Sequence, residues 1–509
     1  MPFPLLVSAI VLFAGVRAQP ARAATYPLWH HLQPGKYAVG YDARWNFDYS
    51  RSWMSPNATL PFRPVLVHAW YPVAPQARTP PMTFGHYLDE PRVRESAVRT
   101  IASFQRAYSI SSLKNVFQGN LALFENLMNT QTAARRGALP AKGRFPLVVY
   151  SLGQNDYLEE NVVFAEYLAS HGYVVVTVPQ LGTSERRMEL LIDDPLSYDA
   201  QVRDLSFALA VAAQRRYVDP ARVSVAGMSM GGIYALLVAM NHPDVKAVIG
   251  LDASYMDKRA AYEFDQRTLP YYDPMRIKAP VLSMFRSDQN VQTTEIDALA
   301  AADRYLIEFA RAIHADFDSY PALAASSPPQ FVDANALSVR DQQTGLANFE
   351  LVCRLSLAFL NSANLGTAFT PETSRLAAMT HSRRRDAPTE EDIGSMIILR
   401  RYEAAARRVM DAQAKYPGQE LFRFKTMNRI AYEFLYTNHA PLAVDMFRLN
   451  VLAHPQSAEA YESLAEGYEA IRDNTEAIAN YRQALAIDPK NADAAQGLQR
   501  LTLAKPKPP

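Results

Sequence analysis

Apolar and polar positions alternate regularly through the middle of this chain. Short apolar runs of strand length are separated by longer helical stretches from residue 145 onward. The runs are Phe145–Ser151, Tyr173–Val178, Val223–Gly227, Val245–Leu251, Val281–Phe285 and Tyr305–Phe309. Near-continuous apolar strands that alternate with helices are typical of a parallel sheet covered on both faces. The pattern therefore predicts an α/β domain with a mostly parallel, doubly wound sheet.

This first domain is predicted to span residues 24–365. Its first part, up to about residue 92, is β-rich, and its last apolar helix is Gly345–Leu360. Between residues 93 and 135 the apolar positions follow helical spacing instead, which indicates a helical insertion. We expect this insertion to act as a lid or substrate wall, with a packed decoration away from the site as the alternative.

The pattern changes again after residue 365. Residues 366–395 are polar and basic and are interpreted as a linker, 396–500 as an all-α domain, and 501–509 as a disordered tail. Within the α domain, residues 424–457 align without gaps with 458–491, a period of 34 residues. In both copies small residues, aromatic residues and a proline occupy matching positions, and this pattern resembles tetratricopeptide repeats. Residues 396–500 are expected either to bind a protein partner or simply to pack.

The N-terminus predicts export. Residues Phe3–Val16 are almost wholly apolar but too short to span a bilayer, and small residues follow them. Residues 1–23 are therefore predicted to be a signal peptide, with an uncleaved membrane tether as the alternative. We expect a periplasmic or secreted protein without a transmembrane helix in the mature chain.

Composition narrows the function classes. Lys and Arg number 52 against 51 Asp and Glu, so the net charge of +1 gives no sign of a nucleic-acid partner. Cys353 is the only cysteine, which excludes disulfides within the chain and zinc sites built on cysteine clusters. The apolar helix around it predicts that Cys353 is a core residue. We expect no metal or organic cofactor.

A G-x-S-x-G motif carries the candidate chemistry. Gly227-Met228-Ser229-Met230-Gly231 directly follows a predicted strand and directly precedes a predicted helix. A strand, a sharp turn and a helix form the nucleophile elbow of α/β-hydrolases, in which the central serine attacks an acyl carbon. Ser229 is therefore the predicted nucleophile. The alternative is a glycine-rich helix start with a capping serine.

A serine nucleophile needs a base and an acid, which follow the serine in the chain in this fold. Among the ten histidines, His314 is left by elimination: others precede Ser229, cap the helix after it, or lie in the linker and tail. Two aspartates at strand ends compete to orient His314. Asp252 follows Val245–Leu251 and Asp288 follows Val281–Phe285. Chain position alone favours Asp288.

Several short sequence segments together resemble the platelet-activating-factor acetylhydrolase branch of α/β-hydrolases, which is related to dienelactone hydrolases. These segments are the elbow motif at 227–231, Gly250-Leu251-Asp252-Ala253, His314-Ala315-Asp316-Phe317, Tyr150-Ser151-Leu152-Gly153-Gln154, Tyr167–Tyr173, Trp70-Tyr71-Pro72 and Pro81-Met82-Thr83-Phe84. The resemblance spans about residues 60–362. It implies that the triad acid lies in the Leu-Asp-Ala phrase, which favours Asp252 and leaves Asp288 as the alternate.

The predicted function is an exported serine hydrolase that cleaves small-molecule or lipid-like carboxylic esters through an acyl-enzyme. The backbone N–H groups of Met230 and Gln154 are expected to form the oxyanion hole. Where the related family usually has His-Gly after the first core strand, this chain has Leu152-Gly153. Two alternatives remain: a peptidase or polyester hydrolase of the same fold, and a catalytically silent scaffold whose repeat tail binds a protein.

Overall fold

A computed structural model describes residues 26–503 with internal gaps. The gaps are at positions 56–57, 90, 118, 155–157, 183–194, 257–265, 288–290, 326–341, 372–375, 386–387, 418 and 420. The predicted signal peptide and the alternate acid Asp288 lie outside the described residues.

Strands in the described residues form one large sheet and a small separate hairpin of β2 and β3. Their bounds are β1 Ala38–Asp48, β2 Trp53–Ser55, β3 Ala58–Leu60, β4 Arg63–Val73, β5 Ala134–Arg136, β6 Phe145–Ser151, β7 Val174–Thr177, β8 Val218–Met228, β9 Val248–Leu251, β10 Val281–Arg286, β11 Arg304–Phe309 and β12 Leu376–Ser382.

The large sheet has the order β12-β11-β10-β9-β8-β6-β7-β4-β1-β5. The six strands from β11 to β7 pair in parallel, whereas β4 pairs antiparallel with both β1 and β7, and β12 pairs antiparallel with β11. The carboxyl ends of the parallel strands therefore meet at one edge, where open α/β sheets place their ligand chemistry. This arrangement confirms the predicted fold class.

Helices cover both faces of the sheet and continue beyond it. Their bounds are α1 Ser96–Val116, α2 Leu121–Asn129, α3 Val162–Ser170, α4 Pro195–Ala213, α5 Met230–Asn241, α6 Thr294–Asp297, α7 Tyr320–Ala324, α8 Gln342–Leu365, α9 Glu390–Ile398, α10 Tyr402–Lys415, α11 Phe424–Tyr436, α12 Ala440–Ala453, α13 Ala458–Ala470, α14 Asn474–Ile487 and α15 Ala492–Leu503.

Two apolar cores lie on opposite faces of the sheet. One contains Phe164 of α3 and Phe349 of α8, and the other contains Leu205 of α4 and Leu237 of α5. Strand side chains alternate between the two cores: Val148 belongs to the first, whereas its neighbours in β6 belong to the second. Burial on both faces explains why these strands are continuously apolar in sequence.

The predicted helical insertion forms α1 and α2. Leu113 and Phe117 near the end of α1, and Leu127 of α2, are buried in the first core. At roughly 2 kcal/mol for each large apolar side chain, this burial anchors the insertion to the main domain.

The interpretation of residues 366–395 as a linker is wrong for much of its length. Leu376–Ser382 forms strand β12, which pairs with β11 at the edge of the sheet, and helix α9 begins at Glu390. Small and polar residues dominate β12, and 378–381 are exposed. An exposed edge strand lacks the apolar run by which the buried strands were recognised.

The helices of the C-terminal region recur at a fixed interval. Helices α11, α13 and α15 begin at residues 424, 458 and 492, and α12 and α14 begin at 440 and 474. Residues 34 positions apart are buried to the same extent. Ala431 and Ala465 are both fully buried, and so are Phe447 and Tyr481, of which Tyr481 is 1% exposed. Helices α9 and α10 are separated by a turn in which Arg400 has φ 58°. Helix α15 extends to Leu503, so residues 501–503 of the predicted disordered tail are helical, and residues 504–509 lie outside the described residues.

A buried histidine, His68, lies on β4 with its Nδ1 2.7 Å from the hydroxyl of Tyr41. The residue is only 4% exposed. Burial lowers the pKa of His68 from its ordinary value of 6.5 to about 3, because a buried imidazolium would lose its hydration. The folded protein therefore holds this ring neutral.

We expect His68 to make the fold acid-sensitive. Between pH 6.5 and 3 the unfolded chain binds a proton at His68 that the folded chain excludes. This contribution to stability is complete above that window and falls with decreasing pH, by up to about 1.4 kcal/mol per pH unit. His68→Asn keeps an acceptor for Tyr41 but does not titrate. Its thermal midpoint should therefore fall less than that of the wild type between pH 7 and pH 5.

His439→Asn is the matched control, since His439 is exposed. It should show the same pH dependence as the wild type. Equal slopes for the wild type and His68→Asn would contradict the assignment.

Candidate active site

Ser229 lies in a tight turn between β8 and α5. Its backbone has φ 53° and ψ −124°, a conformation that residues with a side chain rarely adopt. The turn is held by neighbouring backbone: the Ser229 N–H donates to Leu251 O and its carbonyl accepts from Ser254 N–H, each at 3.0 Å. Such strain persists only where the surroundings enforce it. The predicted strand, turn and helix are therefore present, with Ser229 at the apex.

The two motif glycines let three pieces of backbone meet. A Cβ added at Gly227 would lie 2.0 Å from Gly231 O, and one at Gly231 would lie 2.2 Å from Ser151 O at the end of β6. Backbone atoms cannot move aside as a flexible side chain can. The two glycines of the motif are thus required by the close contact of β8 with the start of α5 and of α5 with the end of β6.

His314 and Asp252 meet at the same edge of the sheet. Asp252 follows β9, and His314 begins a short 3₁₀ helix, His314–Phe317, after β11. The His314 Nδ1 lies 2.5 Å from Asp252 Oδ2. The Asp252 side chain is 6% exposed and that of His314 47% exposed, so the acid is buried while the ring reaches the surface.

The backbone of Asp252 is as constrained as that of the serine. It has φ 39°, and its N–H donates to Met284 O at 2.7 Å. The turn directs the carboxylate past the end of β10, towards the loop that carries His314. A carboxylate on Nδ1 fixes the tautomer in which Nε2 is the free acceptor.

Arg286 is a neighbour of Asp252 that sequence reasoning missed. Its backbone N–H donates to Asp252 Oδ1 at 3.1 Å, and its guanidinium donates to the same Oδ2 that His314 contacts. Arg286 is the last residue of β10. A basic residue at a strand's carboxyl end, next to the end of the strand carrying Asp252, was the available signal. Two cationic or hydrogen-bonding groups thus share one carboxylate.

Ser254 is a second residue that the sequence did not single out. Its Oγ lies 3.4 Å from Ser229 Oγ. Ser254 itself is buried, so a hydroxyl donor or acceptor stands beside the predicted nucleophile.

The expected oxyanion donors belong to α5 and to the loop after β6. Met230 is the first residue of α5, where backbone N–H groups have no partner within the helix. Gln154 is partly exposed and follows the end of β6, against which Gly231 packs. The N–H of the preceding Gly153 is engaged elsewhere, since it donates to the Glu160 carboxylate at 2.6 Å.

The remaining histidines near the sheet have other partners. His171 and His242 end α3 and α5, as the sequence indicated, and His242 Nε2 lies 3.0 Å from Ser206 Oγ. Burial lowers the pKa of both rings. Cys353 is fully buried in the first core, as predicted, and its burial raises the pKa of the thiol well above the ordinary value.

The described residues hold neither a metal-binding cluster of side chains nor a membrane-spanning helix. Among them there is no group of three or more His, Cys, Asp or Glu side chains placed to hold a metal ion. The helices of the same part of the chain include none with the length and apolar character needed to cross a membrane.

The strand order and the strained elbow define an α/β-hydrolase fold. Comparison with known proteins agrees: residues 163–287 match the Peptidase_S9 family, described as the prolyl oligopeptidase family. Cutinase 2 of Thermobifida cellulosilytica is 36% identical over 99 residues, which are 18% of this chain and 34% of that protein. The alpha/beta hydrolase psoB of Aspergillus fumigatus is 30% identical over 174 residues, 32% of this chain and 38% of that one.

A solved ferulic acid esterase from Streptomyces cinnamoneus is 20% identical, with a TM-score of 0.49, and the match covers 68% of this chain and 97% of that chain. The chain spans only about a third of the length of the curated cutinases that it matches. These proteins are what the chain is similar to.

Gly231→Ala should abolish the elbow. The new methyl group would lie 2.2 Å from a backbone oxygen that is held in β6, so we expect aggregation or a loss of several kcal/mol in stability. The change in thermal midpoint and in soluble yield measures this.

Gly394→Ala in α9 is the matched control. There the nearest atom is the flexible Cγ2 of Ile430 at 3.2 Å, and alanine favours a helix. A Gly231→Ala protein as stable as this control would refute the close-contact argument.

Proposed function

We propose that this chain is an exported serine hydrolase that cleaves carboxylic esters through Ser229, His314 and Asp252. The observation that carries the proposal is the contact between His314 and Asp252, 62 residues apart, at the sheet edge that also bears the strained Ser229. Similarity to cutinases over part of the chain supports an ester as the substrate.

The proposed reaction has two steps. His314 Nε2 takes the Ser229 proton as the hydroxyl attacks the ester carbonyl, and Asp252 stabilises the imidazolium that forms. The N–H groups of Met230 and Gln154 hold the negative oxygen, each contributing roughly 3 kcal/mol to the lowering of the barrier. The alcohol leaves with the proton from His314, and water activated by the same ring then hydrolyses the acyl-enzyme.

The substrate wall is proposed to come from the insertion. Gln105 and Ser109 of α1 line a small cavity with Leu158 and with Pro179, which lies beyond the carboxyl end of β7. That edge of the sheet also bears Ser229. A lipid-like or other small-molecule ester is the substrate class that we propose for this wall.

The finer assignments rest on the sequence and on partial likeness. The platelet-activating-factor acetylhydrolase or dienelactone hydrolase branch is supported by the placement of Asp252 beside His314. Tetratricopeptide-like repeats are supported by the helix starts 34 residues apart. Export to a periplasm or to the exterior rests on the composition of residues 1–23. A protein partner for residues 396–500 remains a prediction.

A peptidase is the second candidate, since the matched family is described as prolyl oligopeptidases. The same triad serves esters and amides. Hydrolysis of p-nitrophenyl esters of acetyl to long acyl chains, compared with peptidyl p-nitroanilides, separates the two. We expect the esters to be turned over and the anilides not.

Ser229→Ala should lower the ester hydrolysis rate by roughly a million-fold, because the triad acts as a unit around this hydroxyl. A fluorophosphonate probe should label the wild type and not the variant. A folded wild type that neither hydrolyses any ester nor reacts with the probe would instead favour a silent scaffold, with the helical region as the functional part.

The acid is tested by two matched substitutions. Asp252→Asn should lower kcat by about 10⁴-fold, because the amide favours the wrong tautomer of His314. Asp288→Asn should leave kcat within a few-fold of the wild type. The reverse result would make Asp288 the acid.

A further inference from the structure

A buried carboxylate that takes no part in the proposed triad holds the loop after β6. Glu160 is fully buried. Its Oε2 accepts the N–H of Gly153 and its Oε1 accepts the hydroxyl of Tyr150, both at 2.6 Å. Burial and the adjacent carboxylate raise the pKa of Tyr150 well above its ordinary value, so this hydroxyl stays a donor. Bonds to an ionised acceptor are about twice as strong as neutral ones.

Gln180 binds the backbone carbonyl groups of the same loop. The Nε2 of this buried side chain donates to Leu152 O at 3.2 Å and to Gly153 O at 2.8 Å. In a planar trans peptide the N–H points opposite to the C=O. With Gly153 O held at Gln180, the Gln154 N–H is therefore directed away from Gln180. The direction of the expected oxyanion donor is thus set by Gln180 and Glu160 together.

The Glu160 cluster also reaches the segment that carries His314. Ser319 N–H donates to the backbone oxygen of Glu160 at 2.7 Å. The neighbouring Asn161 donates from Nδ2 to the Tyr150 hydroxyl at 2.7 Å and to Phe317 O at 3.4 Å. Phe317 ends the 3₁₀ helix that His314 begins. One buried network therefore touches both the loop with Gln154 and the helix with His314.

From these contacts we propose that Glu160 is a positioning residue for the ester hydrolysis proposed above. It fixes the loop so that the Gln154 N–H is aligned with the oxyanion, and it ties that loop to the segment of His314. The inference rests on the proposed function. It does not place Glu160 in contact with substrate.

The chain offers a matched control six residues further on. Glu166 is also buried, and it accepts the Tyr87 hydroxyl at 2.6 Å, Trp29 Nε1 at 2.9 Å, and the N–H groups of Ala133 and Ala134. Its partners lie in the N-terminal segment and beside β5, not at the loop after β6. Loss of Glu166 removes four hydrogen bonds in the core, so it measures the general loss of stability on deleting a buried glutamate.

The experiment compares Glu160→Ala and Glu160→Gln with Glu166→Ala and Glu166→Gln in the full chain. Each variant is assayed for kcat and KM on a p-nitrophenyl ester and for the inhibition constant of a trifluoromethyl ketone. This ketone forms a tetrahedral adduct with a serine and so reports on transition-state binding. Thermal midpoints are measured in parallel, and the assay temperature is set below all of them.

We expect Glu160→Ala to lower kcat by about 100-fold, the order found when one oxyanion donor is lost. Glu160→Gln presents one neutral acceptor in place of two charged ones, and we expect a loss of about tenfold. In both variants KM should stay within about threefold, while the ketone binds more weakly in proportion to kcat. The Glu166 variants should retain the wild-type kcat.

Two results would overturn the proposal: kcat within about threefold of the wild type in the folded Glu160 variants, or an equal loss of kcat in the Glu166 variants. If Glu160→Ala does not fold, Glu160→Gln decides by the same criteria. A wild type inert towards esters and towards a fluorophosphonate probe would refute the proposed function instead, which is a separate outcome.

Discussion

The contact on which the rest of this structure depends is the one between the backbone of Gly231 and the carboxyl end of β6. It brings the first turn of α5 against the neighbouring strand with no side chain between them. Ser229 is thereby raised at the sheet edge, and the loop after β6 is brought beside it. Because the contact joins backbone to backbone, no side chain can be added there without separating the two elements. The geometry of the site therefore follows from main-chain packing before any side chain contributes.

Beside this contact, the structure holds its loops with buried carboxylates that accept hydrogen bonds. Asp252, Glu160 and Glu166 are each at least nine-tenths buried, and each accepts bonds from both backbone and side-chain donors. Desolvation of a charge costs several kcal/mol unless such donors compensate for it. Each carboxylate therefore defines its surroundings closely, because the donors must stay in place. Asp252 also faces the guanidinium of Arg286.

The parts of the fold that could be predicted from the sequence are those encoded locally. Continuous apolar runs indicated the buried parallel strands, and the 34-residue spacing indicated the regular helices of the tail. Ser229 was recognisable because its motif, strand and helix are contiguous. The strand at 376–382 was not recognised, since an exposed edge strand carries no apolar signal. The start of α9 at Glu390 was not recognised either, because residues 390–395 are mostly polar and were interpreted as linker.

In the candidate site, the sequence predicted only those residues that a local motif or their position in the chain distinguishes. His314 followed from elimination, but the choice between Asp252 and Asp288 needed a resemblance, since both end strands. Glu160, Arg286 and Ser254 act through contacts between segments distant in the chain. A buried glutamate in the phrase Leu158–Asn161 has no sequence feature that distinguishes it from a surface one. Only the assembled fold brings such residues to the loops that they hold.

The antiparallel pairing of β12 with β11 determines where the chain can be truncated between its hydrolase and helical regions. A chain that stops at residue 365, where the hydrolase pattern ends, would leave one edge of β11 without its partner strand along Arg304–Phe309. Open edges of that kind recruit strands from other molecules. The segment between the two regions is thus a structural part of the first. A hydrolase domain prepared alone would have to extend at least through Ser382 to keep β11 paired on both sides.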